Sequence, residues 1–405
     1  MSVPCLDEGS NPSSSTKNVL QFTSKGIFWF NSLYIMNNER IVFADYIRVI
    51  ACFIVMLTHS AWYFYAADIS GLASNTSLLA NETNRFWVAF YDGFLGRASL
   101  TTFIVISAFL LVPMRHDTTM LQFYKRRFLH IVPPTLIFML LYCLLPLLWN
   151  GMTLEQSVAD LRGLPWNFPS KAGHLWYMYP LISLYIIIPI ISPWLEKATK
   201  CEELTFIALF FVTTFLPFIH RFVCSEVWGE SYWNPFHMLW YCSGFIGYFV
   251  STHYIKTHLK WNIKRRFWIG LLCFLVGATF TGWSFWWKGT PGQIIETPVL
   301  EWAWEFCTPN IFIQTMGILL LATCIRQTKS PKLLISLSKY SFGMYLMHMF
   351  VLPPIASLLI AGNVVHPIIP VWAVIPVIAM MTFCCCAFIT WLLSHIRGSK
   401  WIIGV

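Results

Sequence analysis

Ten apolar stretches divide this chain, near residues 41–63, 98–114, 131–149, 175–195, 203–219, 236–254, 267–287, 308–325, 333–360 and 368–395. A helix that crosses a bilayer needs roughly 20 mostly apolar residues. Inside the bilayer every backbone polar group must be satisfied within its own element. The pattern therefore predicts an all-α polytopic membrane protein with about ten transmembrane helices. Composition agrees: 57% of residues are hydrophobic and 11% charged, against about 25% charged in soluble domains. The 20 Trp and 34 Phe suit membrane interfaces. The second run is short, and the ninth is long with a polar start. Prolines 189, 193, 217, 353, 354 and 376 predict kinks or ends, which buried helices tolerate. The 12 Cys include no CxxC pair and lie mostly inside apolar runs. Neither a disulfide framework nor a metal site is expected from them.

Basic residues give the orientation. With a cytoplasmic N-terminus, the inner segments hold 20 of the 27 Lys and Arg, among them Lys125, Arg126 and Arg127, Lys256 to Arg266, and Arg326 to Lys339. Such a bias is the usual determinant of topology, and it predicts that both termini are cytoplasmic. The net charge of +9 needs no nucleic acid, because anionic lipids suffice as partners. The organisation expected is a tail over 1–40, a transmembrane domain over 41–395 and a short C-terminal tail over 396–405. The first 35 residues are polar and Ser-rich and read as disordered. They lack the order of a signal peptide, and Met36 is an alternative start.

Four stretches carry chemistry. The first is RVIACFIVMLTHS, 48–60. Eleven positions at 100° each return Arg48 and His59 to one helix face, about 16 Å apart along the axis. Asp45, Cys52 and Val55 fall on the same stripe. Ionisable groups at bilayer depth are costly and usually mark function. Snorkelling would also explain Arg48, and an interhelical hydrogen bond His59. The second stretch, QFYKRRFLHIVPP (122–134), gathers Lys125, Arg126, Arg127 and His130 at the cytoplasmic mouth. It is either a positive-inside anchor or a phosphate-binding collar. The third, HLWYMYPLISLYIIIP, places His174, Trp176 and Tyr177 at the outer start of helix four. The fourth, SLSKYSFGMYLMHMF (336–350), puts Tyr345 and His348 at i, i+3 on one helix. Interhelical polar contacts would account for it as well.

Together these stretches resemble the membrane-bound acyltransferase family 3. That family's arginine, ten residues, then histidine is similar to Arg48 and His59. TTFIVISAFLL (101–111) resembles its FF-x-x-SG-F element, with Ala108 for Gly. RRFLHIVP resembles its RR-x-x-R-I-x-P element, with His130 for the last Arg. His174 to Pro189 resembles its HLWY…P element, and Ser338 to His348 its S-x-x-S-Y-G-x-Y-L-x-H element, with Phe342 for the first Tyr. The short form, without an extracytoplasmic hydrolase-like domain, is similar to enzymes that O-acetylate surface glycans such as enterobacterial common antigen.

The resemblance implies a bacterial inner-membrane enzyme that takes acetyl from cytoplasmic acetyl-CoA to a hydroxyl of a cell-surface or lipid-linked glycan. CoA phosphates would meet Arg48, Lys125, Arg126, Arg127 and His130. The pantetheine arm would lie along the Arg48–His59 stripe, where Cys52 and Val55 leave room. His59 would act as base or acyl carrier, with Arg48, Asp45 and His348 as further catalytic groups; Asp45 would hold Arg48 in place. His174, Trp176, Tyr177 and Tyr345 would bind the acceptor, or His174, Trp176, Tyr345 and His348 would stabilise the tetrahedral oxyanion. The Trp-rich segments 228–234 and 301–306 would stack on sugars or serve as belt residues. A non-enzymatic glycan transporter or flippase would also need buried polar groups among ten helices. The donor-length stripe beside a basic collar favours the enzyme.

Overall fold

The computed structural model describes residues 41–65, 82–149, 151–224, 239–290, 295–365 and 369–404. The N-terminal tail with Met36 and the segment 228–234 lie outside them. Each apolar run contains a helix: α1 Val42–Trp62, α2 Glu82–Leu111, α3 Met120–Trp149, α4 Ser170–Lys197, α5 Lys200–Phe222, α6 Ile246–His258, α7 Ile263–Lys288, α8 Pro309–Ala322, α9 Lys332–Val365 and α10 Val371–Ser394. No strand occurs among the described residues. Among the described residues eight helices are long and apolar enough to cross a membrane, and the chain is an all-α polytopic membrane protein. The helices α6 and α8, with 13 and 14 residues, are shorter.

The boundaries follow local chemistry. Thr119 and Gln122 form a capping box before α3, and Thr199 and Glu202 another before α5. Each pair satisfies two backbone donors at a helix start. The helix α3 thus begins well before its apolar run and carries the Lys125–Arg127 triplet on its first turns. In α5 the α-helix stops at Thr213 and resumes at Leu216 with Pro217 in its first turn, where a proline's missing N–H costs little. Pro189, Pro193, Pro353, Pro354 and Pro376 lie inside helices. The start of α6 is delayed to Ile246 because Leu239 (φ 65°) and Gly244 (φ 78°) turn the chain in left-handed conformations.

The central helix is α1, packed against α2, α9 and α10. The tightest pair is α7 and α8. A Cβ on Gly317 of α8 would lie 2.7 Å from the Gly270 carbonyl of α7, and one on Gly277 would strike the Asn310 carbonyl. Small residues there let two backbones approach, as membrane helix pairs require. The opposite stripe of α7, with Trp268, Leu272, Val276, Trp283 and Trp287, is exposed and faces lipid.

Contacts at the two ends of the bundle sort the connecting segments. At one end, which holds the basic collar, Tyr46 Oη donates to Gln327 Oε1 (2.8 Å), and Ser330 and Ser338 donate to Asp45 (2.8 and 2.7 Å). There also Lys256 Nζ caps α2 at the Phe109 and Val112 carbonyls (2.9 and 3.0 Å), as a cation at a helix C-terminus does. Buried Glu203 on α5 joins His253 and His258 of α6 at 3.1 and 3.0 Å. At the other end Arg85 reaches the Gly289 carbonyl (2.5 Å), Arg221 the Pro298 carbonyl (3.3 Å) and Arg97 the Glu301 carboxylate (2.9 Å). These are the same two groups of segments that the Lys/Arg count separates.

Candidate active site

Because α1 is unbroken, Arg48 and His59 share a face, as their spacing requires. Asp45, Cys52, Val55 and His59 are buried and Arg48 is half-buried. Cys52 Sγ donates to the Ser341 carbonyl of α9 at 3.6 Å. At that level the stripe touches a neighbouring helix, so the room expected beside Cys52 is occupied. Open space begins one turn further on, at Val55.

There α1, the first turns of α4 and the middle of α9 bring three histidines together. The His59 and His348 rings lie 5.0 Å apart, and those of His174 and His348 4.7 Å apart. His174 sits in a 3-10 turn, Ser170–Tyr177, with a non-helical Ala172 inside it, which carries the segment into the bundle. The Tyr345 hydroxyl donates to the His174 carbonyl, and the Tyr142 hydroxyl to the Leu346 carbonyl at 3.1 Å. His348 Nδ1 lies 2.6 Å from the Tyr345 carbonyl, and His174 Nε2 lies 3.3 Å from that of Leu346. A carbonyl only accepts, so each of those nitrogens carries a hydrogen. In the uncharged ring the other nitrogen then holds a lone pair. Those other nitrogens, His348 Nε2 and His174 Nδ1, are buried without a hydrogen-bond partner among the described residues. So are His59 Nδ1, Trp62 Nε1 and Thr58 Oγ1. A buried unsatisfied polar atom costs about 1–3 kcal/mol; four of these five, all but His348 Nε2, belong to residues lining one small space, which marks a place built for a ligand. That space is a cavity of about 40 Å³ walled by His59, Trp62, Arg97, His174, Trp176 and Tyr345.

The remaining residues singled out in the sequence lie elsewhere. The Tyr177 ring packs 5.9 Å from Tyr345, but its hydroxyl bonds the Leu100 carbonyl at 3.3 Å. Lys125, Arg126 and His130 are exposed and Arg127 is half-buried at the basic end, with Asp45 and Arg48 nearer that end of α1. Trp302 and Trp304 are buried, and their indole N–H groups bond the Ser284 and Thr281 carbonyls of α7. They brace a helix, not a sugar face.

Charge reasoning from the sequence missed Asp92, Arg97 and Glu301. Arg97 is buried and lies 3.0 Å from Asp92 and 2.9 Å from Glu301. The Tyr65 hydroxyl sits 2.6 Å from both carboxylates, and the guanidinium stacks 4.0 Å over Trp304. Asp92 and Arg97 meet because Ala89–Gly96 is a π-helix. Five residues span about 140° in an α-helix beyond one full circle, but they align in a π turn, a feature frequent at functional sites. The signal in the sequence was YDGFLGR, an acid and a base at i, i+5 among glycines. A Cβ on Gly96 would collide with the Thr58 side chain, so glycine there lets α2 close on α1 beside His59.

The fold and site define a helical membrane protein with a buried histidine chamber. The chain matches a family model described as an acyltransferase domain, that of acyltransferase family 3, over residues 41–391, and it belongs to that family. It is a membrane acyltransferase. No individual curated protein and no solved structure matches it.

Proposed function

We propose that this acyltransferase moves an acetyl group from cytoplasmic acetyl-CoA to a hydroxyl of a cell-surface or lipid-linked glycan, at a bacterial inner membrane. The observation that carries this reading is the pair of unpartnered imidazole nitrogens of His59 and His174 at one cavity, with the His348 ring packed behind both. The size of the cavity supports a short acyl group. A volume of about 40 Å³ holds roughly as many small groups as a few waters, comparable to the three heavy atoms of an acetyl.

The basic end is the cytoplasmic one in this reading. Lys125, Arg126, Arg127 and His130 meet the CoA phosphates there, with Arg48 below them. In the transfer, the acceptor hydroxyl oxygen bonds to the thioester carbonyl carbon while an imidazole nitrogen takes its proton. The C–S bond then breaks, and the CoA sulfur leaves with that proton. His59 performs the proton transfer directly, or it first accepts the acetyl on nitrogen and passes it on. His348 and Tyr345 hold the surrounding geometry, with Asp45 fixing the entry to the stripe.

The test uses the full chain in lipid nanodiscs. Acetyl-CoA raises its unfolding temperature, since a ligand that binds only the folded state stabilises it. His59→Ala keeps that rise and loses at least about 100-fold in transfer, the lower range for acid–base catalysis. Arg48→Ala weakens donor binding more than acceptor binding. No thermal shift with acetyl-CoA and no transfer by the unaltered chain would favour a glycan transporter; transfer unchanged in His59→Ala would remove His59 from the chemistry.

A further inference from the structure

A second, larger cavity of about 390 Å³ adjoins the histidine chamber, and the two share Arg97 and Phe306 as a common wall. Its size falls in the range of small-molecule sites. Beyond the shared wall, His59 and His174 are more than nine-tenths buried and each leaves a ring nitrogen unpartnered. The larger cavity is thus the approach to the reacting groups from the end opposite the basic collar.

Its charge is one-sided. Glu301 and Glu305 line it, and Arg97 is its cation. That cation is already answered by Asp92 and Glu301, so exposed Glu305 adds a carboxylate with no counter-charge in the wall. Of the other cations of this end, Arg85 is held at Glu82 and the Gly289 carbonyl, Arg221 at the Pro298 carbonyl and Lys288 over Trp287, and neither Arg162 nor Lys171 lines the cavity. The apolar wall is aromatic. Trp304 is covered by Arg97 and Phe285, which leaves half-buried Phe245 and Phe306 for the C–H face of a sugar ring.

We infer that this cavity is an acceptor subsite that admits uncharged or cationic sugars and turns away anionic ones, with Glu305 as a specificity-determining residue. The inference rests on the glycan reading above. Carboxylates accept hydrogen bonds from sugar hydroxyls and repel a second carboxylate. The same field repels the phosphates of CoA, so donor and acceptor are sorted to opposite ends of the bundle.

Saturation-transfer NMR with the full chain in phosphatidylcholine nanodiscs, without acyl donor, tests this with methyl β-glucoside, methyl β-glucosaminide and methyl β-glucuronide. The glucoside and glucosaminide bind. The glucuronide binds about fivefold more weakly, the effect of one like charge at contact range in water, and the gap narrows in high salt. Glu305→Arg, at an exposed position where folding is insensitive, reverses the order of glucosaminide and glucuronide; Glu305→Gln lies between. A glucuronide that matches the glucoside, or an order unmoved in Glu305→Arg, overturns the charge selection alone. No saturation transfer from any of the three overturns the subsite; the glycan reading falls separately, if the chain transfers no acetyl group to a glycan acceptor. The acetyl-CoA thermal shift tests the transferase half separately.

Discussion

At His174 and Tyr345 a single hydrogen bond joins two helices and sets the direction of a ring. The Tyr345 hydroxyl donates to the His174 backbone carbonyl, which fixes the turn from which the imidazole reaches His348. Tyr345→Phe removes that hydrogen bond, at a net cost of about 0.5–1.5 kcal/mol. Thermal unfolding in nanodiscs shows this as a lower melting temperature. Transfer falls as well, because the His174 ring loses its support. A variant with wild-type melting and wild-type transfer would remove Tyr345 from the site. The spacing of Tyr345 and His348 at i, i+3 was readable in the sequence, since it depends only on an α-helix. That His348 would face both His59 and His174 was not, because it depends on three helices meeting.

Between residues and the whole bundle, the π segment of α2 decides what the site contains. Arg97 neutralises buried Asp92, and breaking a buried pair by removing one partner costs about 3–5 kcal/mol. Arg97→Leu therefore destabilises the protein strongly, while Arg97→Leu with Asp92→Leu recovers much of the loss. A double variant no better than the single one would show that the pair is not the reason. Gly96→Val tests the same element by shape. Its side chain meets Thr58, pushes α2 from α1 and lowers transfer with little effect on acetyl-CoA binding; equal losses in both would contradict the geometry. Hydropathy located ten helices because apolar length is a local property. It placed the start of α2 at residue 98 rather than Glu82, because Asp92 and Arg97 break the apolar run while satisfying each other in three dimensions. The 3-10 entry to α4 was hidden for a similar reason: Ala172 leaves helical geometry with no proline or glycine at that position to announce it.

For the molecule as a whole, the contacts at each end reproduce the division that Lys and Arg counting makes. Cysteine substitutions at Lys125 and at Glu305, both exposed, should react with a membrane-impermeant maleimide from opposite faces of sealed vesicles. Labelling of both from one face would overturn the alternation. Another global property follows from α8. Its 14 residues rise about 21 Å, short of a hydrocarbon layer of about 30 Å, and they include Asn310, Gln314 and Thr315. Asn310 bonds Thr281 of α7 (2.8 Å), Gln314 the Phe94 carbonyl of α2 (2.9 Å), and Thr315 lies 2.6 Å from Thr101. Such a segment has too little apolar length to partition into lipid unaided. It enters as a passenger of α7, held by the glycine contact and by acceptors already in place on α2. The biogenesis of this protein is thus ordered by its chain: a ribosome-bound intermediate ending within α8 would still be extractable from the bilayer at that segment, whereas one that has released α8 against α7 would not.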